Sequence, residues 1–450
     1  MKMPRKPPTL DELQRTVAAS ADNRWWSFRR LMDLHMAIGS PLRGKYLHWD
    51  KLRRYPPPEG FSHEEWWCVI KSARQMQAKG TPLSDEKGRS FAYVLADPIP
   101  EALHKIDQGA GGYIRMPDQI TNPDTRDQYY VNSLVQEAIT SSQLEGAATT
   151  RAVAKEMIRT GRTPDDRSEQ MILNNFRTMQ QVGRLKEEPL TKQIILDLHR
   201  IATEKTLADE FGAGRFRGTN ESVVVADMYN EVFHTPLPAE QLEERMAAMC
   251  DFANGKTPGE FIHPVLRSII LHFWLAYDHP FVDGNGRVAR ALFYWSMLRH
   301  GFWLFEFVSI SQIILKAPIK YARAFLYTET DDNDLTYFIL HQLDVIGRAI
   351  QELHEYIERK TAKLHAAESR LHGLMGLNHR ERELISHALR HPHQQYTIRS
   401  HQMSHNVVYQ TARTDLLDLE SRGLLSSRKI GKTWHFTPVP DLEDRLSRLD

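Results

Sequence analysis

Within the twelve residues HPFVDGNGRVAR, His279 to Arg290, sit side chains that could together move a phosphoryl or nucleotidyl group. His279 has the near-neutral pKa suited to a general base. Asp283 is a hard-cation ligand of the kind Mg²⁺ takes alongside phosphate oxygens. Arg287 and Arg290, three apart, share a helix face. Gly284 and Gly286 let the backbone bend and approach a ligand closely. The first N–H groups of a following helix lack intrahelical acceptors, so this loop is a ready anion site.

Two elements must hold such a loop in place. FIHPVLRSIILHFWLAYD (261–278) is apolar almost all round the axis and predicts a buried central helix, with Pro264 in its first turn. RVARALFYWSMLRHG continues past the loop as a second helix and stops at Gly301. Further upstream, VQEAITSSQLEGA places Ser141 and Glu145 four apart on a helix that Gly146 would end. Ser222–Val225 and Glu231–His234, either side of 227–230, suit a β-hairpin.

The loop matches every fixed position of the Fic family signature, HPFxDGNGRxxR, and the chain resembles that family from roughly Asp127 to Leu353. The resemblance implies a mainly α fold, a helical core with a small β-hairpin flap. It implies a protein adenylyltransferase that passes AMP from ATP to a Ser, Thr or Tyr hydroxyl of a protein, itself included. His279 would be the base and Asp283 would hold Mg²⁺. Gly284, Asn285 and Gly286 would form the anion hole, Arg287 would meet the β-phosphate and Arg290 the γ-phosphate. Ser141, Glu145 and Gly146 match the family's [S/T]xxxE[G/N] inhibitory motif, so Glu145 would pair with Arg290 and keep the enzyme quiet. Val223, Val224 and Val225 would lie in the flap that holds the target by strand addition. A family subgroup that transfers the γ-phosphate has lysine where this chain has Gly286, so nucleotidyl transfer is the expectation; the base of the nucleotide stays open. The same site serves two other readings, a hydrolase that removes AMP and a nucleotide-sensing, DNA-binding regulator.

The remainder is read more coarsely. Residues 1–125 form a tryptophan-rich N-terminal domain (Trp25, Trp26, Trp49, Trp66, Trp67), with Ser62 and Glu65 as a capping box. Residues 126–353 form the core with its inhibitory helix, and 354–377 a charged helical connector. Residues 378–450 read helix, helix, helix, hairpin, similar to a winged helix–turn–helix domain. There Ser404 would cap a helix with the stripe Val408, Ala412, Leu416 and Leu419, and a hairpin would turn at Gly431. Arg428, Lys429 and Lys432 would contact DNA phosphates, a case that Asp415, Asp418 and Glu420 weaken, so protein docking or dimerisation stands beside it. The 58 basic and 57 acidic residues nearly cancel, which singles out neither nucleic acid nor membrane. Cys68 and Cys250 make no disulfide framework. With no apolar stretch after the basic start and no run long enough to span a bilayer, the expectation is a cytoplasmic protein; the family often forms homodimers, and the sequence leaves the oligomeric state open.

Overall fold

Two helices packed along each other carry the centre of the molecule. The structure, a computed structural model, describes residues 2–9, 11–13, 15, 29, 33, 45–111, 123–226, 231–373, 376–392, 394–430 and 433–446. In chain order the elements before the centre are α1 (Trp49–Leu52), α2 (His63–Gln77), β1 (Lys79–Ser84), β2 (Ser90–Tyr93) and α3 (Pro98–Ile106). Then come α4 (Pro123–Leu144), α5 (Arg151–Thr160), α6 (Arg167–Leu185), α7 (Lys192–Thr203), β3 (Val225–Ala226), β4 (Val232–His234) and α8 (Leu242–Ala253). The central pair is α9 (Pro264–Asp278) and α10 (Asn285–Arg299). After it follow α11 (Ile310–Lys316), α12 (Pro318–Thr330) and the long α13 (Thr336–Gly373). The last group is α14 (His379–Arg390), β5 (Tyr396–Thr397), α15 (Ile398–His405), α16 (Tyr409–Ser421), β6 (Leu425–Ile430), β7 (Thr433–Pro438) and α17 (Leu442–Leu446). The fold is mainly helical, as the sequence implies. Among the described residues no helix is long and apolar enough to cross a membrane.

Helix α9 forms where Pro264 presets the first turn and His263 Nδ1 accepts from the Val265 N–H. Its Phe273 and Trp274 and the Phe293 and Trp295 of α10 are almost wholly buried, so truncating any one would cost about 3–5 kcal/mol. Ser268 donates to Ser296 at 2.8 Å, satisfying two hydroxyls where the helices touch.

By contacts the chain divides into two compact units, Met1–Gly112 with Ser133–Ile350, and Tyr113–Asn132 with Gln351–Asp450. In the first, Trp49, Trp66 and Trp67 are core residues with Leu52 and Ile70; Trp25 and Trp26 lie outside the described residues. The Ser62–Glu65 capping box forms. Buried charges complete this part: Lys71 and Arg74 meet Asp331, and Tyr46 donates to Asp334 at 2.7 Å. Cys68 and Cys250 are buried free thiols.

Helix α4, which ends in the Ser141–Glu145 stretch, is held on two sides. Its Val135, Ala138 and Ile139 pack with Met157 of α5 and Met171 and Ile172 of α6. On its other side Glu137 is 2% exposed and accepts from the Tyr294 hydroxyl at 2.9 Å, the Ser309 hydroxyl at 2.8 Å, and the Ser311 N–H and hydroxyl. A carboxylate fully used by donors from α10 and the start of α11 fixes the helix in register.

The expected connector and the end of the core are one continuous helix, α13. In the second unit β5, β7 and β6 form an antiparallel sheet in that order, beside α14, α15 and α16 around Leu384, Ile385, Leu416, Leu419 and Phe436. Ser404 does not cap a helix. It lies inside α15, which ends just beyond it at Asn406 with φ +50°, a conformation asparagine tolerates better than most residues. Helix α16 begins at Tyr409, so Val408 is left 67% exposed and the buried stripe is Ala412, Leu416 and Leu419. The expected wing turn, Gly431 and Lys432, lies outside the described residues.

Glu137→Leu leaves buried donors of α10 and α11 unpaired. The expected loss is about 2–4 kcal/mol of unfolding free energy, read as a lower denaturant midpoint.

Candidate functional site

The loop between α9 and α10 is fixed from both ends. Asp278, fully buried, receives Nε and Nη2 of Arg245 at 2.9 and 2.6 Å and Nε1 of Trp274 at 3.0 Å. The next residue, His279, leaves the helix with φ +47°, a left-handed conformation rare outside glycine and asparagine. Three contacts hold it: its N–H donates to Leu275, its carbonyl accepts Nε of Arg217 at 3.0 Å, and Nδ1 faces the Ala276 carbonyl at 3.3 Å. With the ring hydrogen on Nδ1, Nε2 keeps its lone pair. Burial pulls the His279 pKa down to about 4, so the imidazole is neutral at neutral pH.

Asn285 closes the loop on itself. Its Oδ1 accepts from the Phe281 N–H at 2.9 Å and its Nδ2 donates to the Phe281 carbonyl at 2.8 Å. Its side chain is therefore a brace, and what it offers an anion is backbone. Helix α10 starts after Gly284, which has φ +84° and no side chain to cap it. A Cβ on Gly284 would come within 2.7 Å of Thr203 Cγ2, so only glycine fits both angle and space.

Both signature arginines are buried beneath this helix start. Arg287 donates Nη1 to the Ala202 carbonyl, while its Nε and Nη2 find no hydrogen-bond partner among the described residues. A buried guanidinium with two open donors beside uncapped helix N–H groups calls for an anion. Arg290 already has one. Its Nε donates to Ser141 Oγ at 2.8 Å, and Nη2 donates to the Ser141 carbonyl at 2.9 Å and to Glu145 Oε1 at 2.7 Å. The Glu145 carboxylate lies so close over the first turn of α10 that a Cβ on Gly286 would be 2.1 Å from Oε1. Gly146, φ +92°, turns the chain away behind it.

Asp283 stands at the rim, its carboxylate 37% exposed, with Oδ2 3.2 Å from Arg167 Nη2 and Oδ1 3.6 Å from Arg287 Nη2. Among the described residues no group of three or more His, Cys, Asp or Glu could hold a metal by itself. One partly exposed carboxylate beside an anion site fits a Mg²⁺ that arrives with phosphate oxygens, not one caged by protein.

The hairpin is shorter than the sequence implied. Val225 pairs with His234 and Ala226 with Val232, while Val223 and Val224 precede the strand; 227–230 lie outside the described residues. Val224, Val225 and Val232 are exposed. His234 ties the hairpin to the signature: Nδ1 meets Glu329 at 2.7 Å and Nε2 the Tyr277 carbonyl at 2.7 Å. Both partners are acceptors, so the ring is an imidazolium; burial opposes that charge, and the Glu329 carboxylate overrides it, raising the pKa.

Sequence reasoning did not single out His199, Arg217 or Arg167. His199 accepts the Gly214 N–H at Nδ1 (3.0 Å), donates from Nε2 to the Asp283 carbonyl (2.9 Å) and stacks on Phe281 at 3.8 Å. Arg217 reaches the carbonyls of both His279 and Leu237. Each acts through backbone carbonyls of residues distant in sequence, and no spacing signals that.

Residues 189–297 match the Fic/DOC family profile. A 117-residue stretch is 38% identical to the protein adenylyltransferase Fic of Nematostella vectensis, covering 26% of this chain and 25% of that one. A 108-residue stretch is 37% identical to the protein adenylyltransferase fic-1 of Caenorhabditis elegans, covering 24% and 19%. The matches thus span a quarter or less of these relatives' own length. A solved structure, a Fic family protein from Desulfovibrio desulfuricans G20, covers 77% of this chain and 98% of that one with a TM-score of 0.50 at 18% identity; the two share a fold.

Burial also holds His199 down to about 4 and His272 to about 3. Such groups are neutral when folded, and the unfolded chain takes their protons first as pH drops below about 6.5. Stability should fall from about pH 6.5 toward pH 4, by on the order of 2–3 kcal/mol for His199. His199→Asn should flatten that part of a denaturation–pH curve.

Proposed function

We propose that this chain, whose residues 189–297 are a Fic/DOC domain, is a protein adenylyltransferase restrained by its own Glu145. The observation that carries the reading is the carboxylate of Glu145 seated between Arg290 and the first turn of α10, an anion of the chain's own where a nucleotide phosphate would bind.

In the reaction a target hydroxyl attacks the α-phosphate of ATP; an O–P bond forms, the bond to the β-phosphate oxygen breaks, and pyrophosphate leaves. Nε2 of His279 takes the hydroxyl proton, which requires the neutral ring that burial provides. The backbone of Gly284, Asn285 and Gly286 and the open donors of Arg287 stabilise charge growing on the phosphates from fixed positions. Arg290 clamps the γ-phosphate once Glu145 releases it. Asp283 would hold Mg²⁺, which offsets phosphate charge when bound. The hairpin offers an edge to a target segment, and His234 sets that edge against the residue two before the base.

A specific observation also favours a nucleic-acid surface on the second unit. Asp415 of α16 is buried and held by Arg380, His401 and Asn378, and Asp418 pairs with Arg422 at 2.6 Å. Two of the three acids that opposed this reading are thereby neutralised within the fold. Exposed on α16 are Tyr409, Gln410, Arg413, Thr414, Leu417 and Ser421, with Arg428 and Lys429 exposed on β6. Full-length protein should bind duplex DNA with an affinity that falls steeply with salt, and Arg413→Ala/Lys429→Ala should flatten that slope. No binding at about 50 mM salt would exclude it.

For the transferase, α-phosphate-labelled ATP with Mg²⁺ should label the protein itself weakly in wild type. Glu145→Gly should label about ten- to a hundredfold faster, the effect of losing a charge-assisted bond of roughly 1.5–3 kcal/mol. Glu145→Gly/His279→Ala should not label. If Glu145→Gly instead lowers release of AMP from a modified protein and gives no label, the hydrolase reading takes its place.

A further inference from the structure

Asp283 already has a movable cation on the oxygen a metal would need. Arg167, the first residue of α6, donates Nε to the Thr206 carbonyl at 2.9 Å and places Nη2 3.2 Å from Asp283 Oδ2. The other oxygen, Oδ1, accepts the Gly284 N–H, with Arg287 Nη2 at 3.6 Å. The two arginines differ in freedom. Arg287 is fully buried and held by the Ala202 carbonyl. Arg167 is 60% exposed, and a cleft of about 610 Å³, lined by Arg167, Gln170, Lys205 and Leu207, opens beside it.

Resting on the reading of Asp283 as the Mg²⁺ ligand, we propose that Arg167 is a placeholder for that ion. It neutralises Asp283 while the site lacks nucleotide, and it gives up Oδ2 when a metal–triphosphate arrives, its guanidinium turning into the cleft. Without it, Oδ2 at the rim would face an incoming triphosphate with no cation on it, leaving only Arg287 on Oδ1 to offset the charge. A fully buried arginine, with no solvent-facing space to turn into, could not withdraw from the metal's place. A half-exposed pair is weak enough to exchange, since solvent screens most of its attraction. Arg167 is thus a positioning residue that sets how strongly nucleotide binding depends on metal.

The test uses full-length protein carrying Glu145→Gly and α,β-methylene ATP, which cannot be cleaved at the α-phosphate. Calorimetry gives its affinity with Mg²⁺ and with EDTA, and the ratio of the two is the readout. Arg167→Gln should weaken binding in EDTA and leave binding with Mg²⁺ equal or tighter, raising the ratio about two- to fivefold. Arg167→Lys should keep the parent ratio. Equal weakening of both affinities by Arg167→Gln, as a purely structural role predicts, overturns the proposal, as does a lower ratio. Asp283→Asn separates the two levels. If the Mg²⁺ enhancement survives it, the metal reading fails and the placeholder with it; if the enhancement is lost while Arg167→Gln leaves the ratio unchanged, only the placeholder fails.

Discussion

The fully buried guanidinium of Arg290 is the constraint around which the rest of the site is arranged. A buried arginine cannot shed its charge and is costly to leave unpaired, so it demands an anion and backbone acceptors at its own depth. In this chain Ser141 and Glu145 supply them. That need explains why α4 is so firmly attached. Glu137, two turns before Glu145, spends its whole carboxylate on Tyr294, Ser309 and Ser311, and the packing of Ile139 against α5 and α6 does the rest. A strained His279 and a glycine-led helix start are tolerable beside it because Asp278, Arg217 and Asn285 pin the backbone on either side.

The site was legible where its chemistry is local. HPFVDGNGRVAR places an imidazole, a carboxylate, two glycines and two cations within one loop and one helical turn, so types and spacing suffice to bring them together. The Ser141–Glu145 pair was legible as a pattern, and its expected partner Arg290 lies 2.7 Å from the Glu145 carboxylate. What could not be read was support delivered to backbone carbonyls. His199 sits in LHRIAT, where a histidine on a helix that packs against its neighbours carries no distinguishing mark. The start of α16 was misplaced by about one turn because Asn406, not Ser404, breaks the chain, a difference of left-handed tolerance and not of hydrophobic period. The β-branched run of Val223, Val224 and Val225 over-predicted strand, since among the described residues the strand begins at Val225.

The hairpin and the base are linked by electrostatics as well as by geometry. His234 carries a charge because both its ring nitrogens face acceptors, one of them the last turn of α9, where a cation is favoured by the helix dipole. That charge is one of the influences, after burial, that keep His279 unprotonated. The exposed edge of the hairpin and the protonation of His279 therefore share one residue.

On the proposed reading, the missing side chain at Gly286 makes the routes to loosening the Glu145 contact unequal. Adding a methyl group there would evict Glu145 from its seat, yet it would fill the same space over the helix start that a phosphate requires. Relief and ruin would come in one step. Changes in α4, by contrast, empty the seat and leave its floor intact. On the proposed reading, a change in α4 frees the seat and a change at Gly286 fills it, so only the helix can loosen the contact without closing the space beneath.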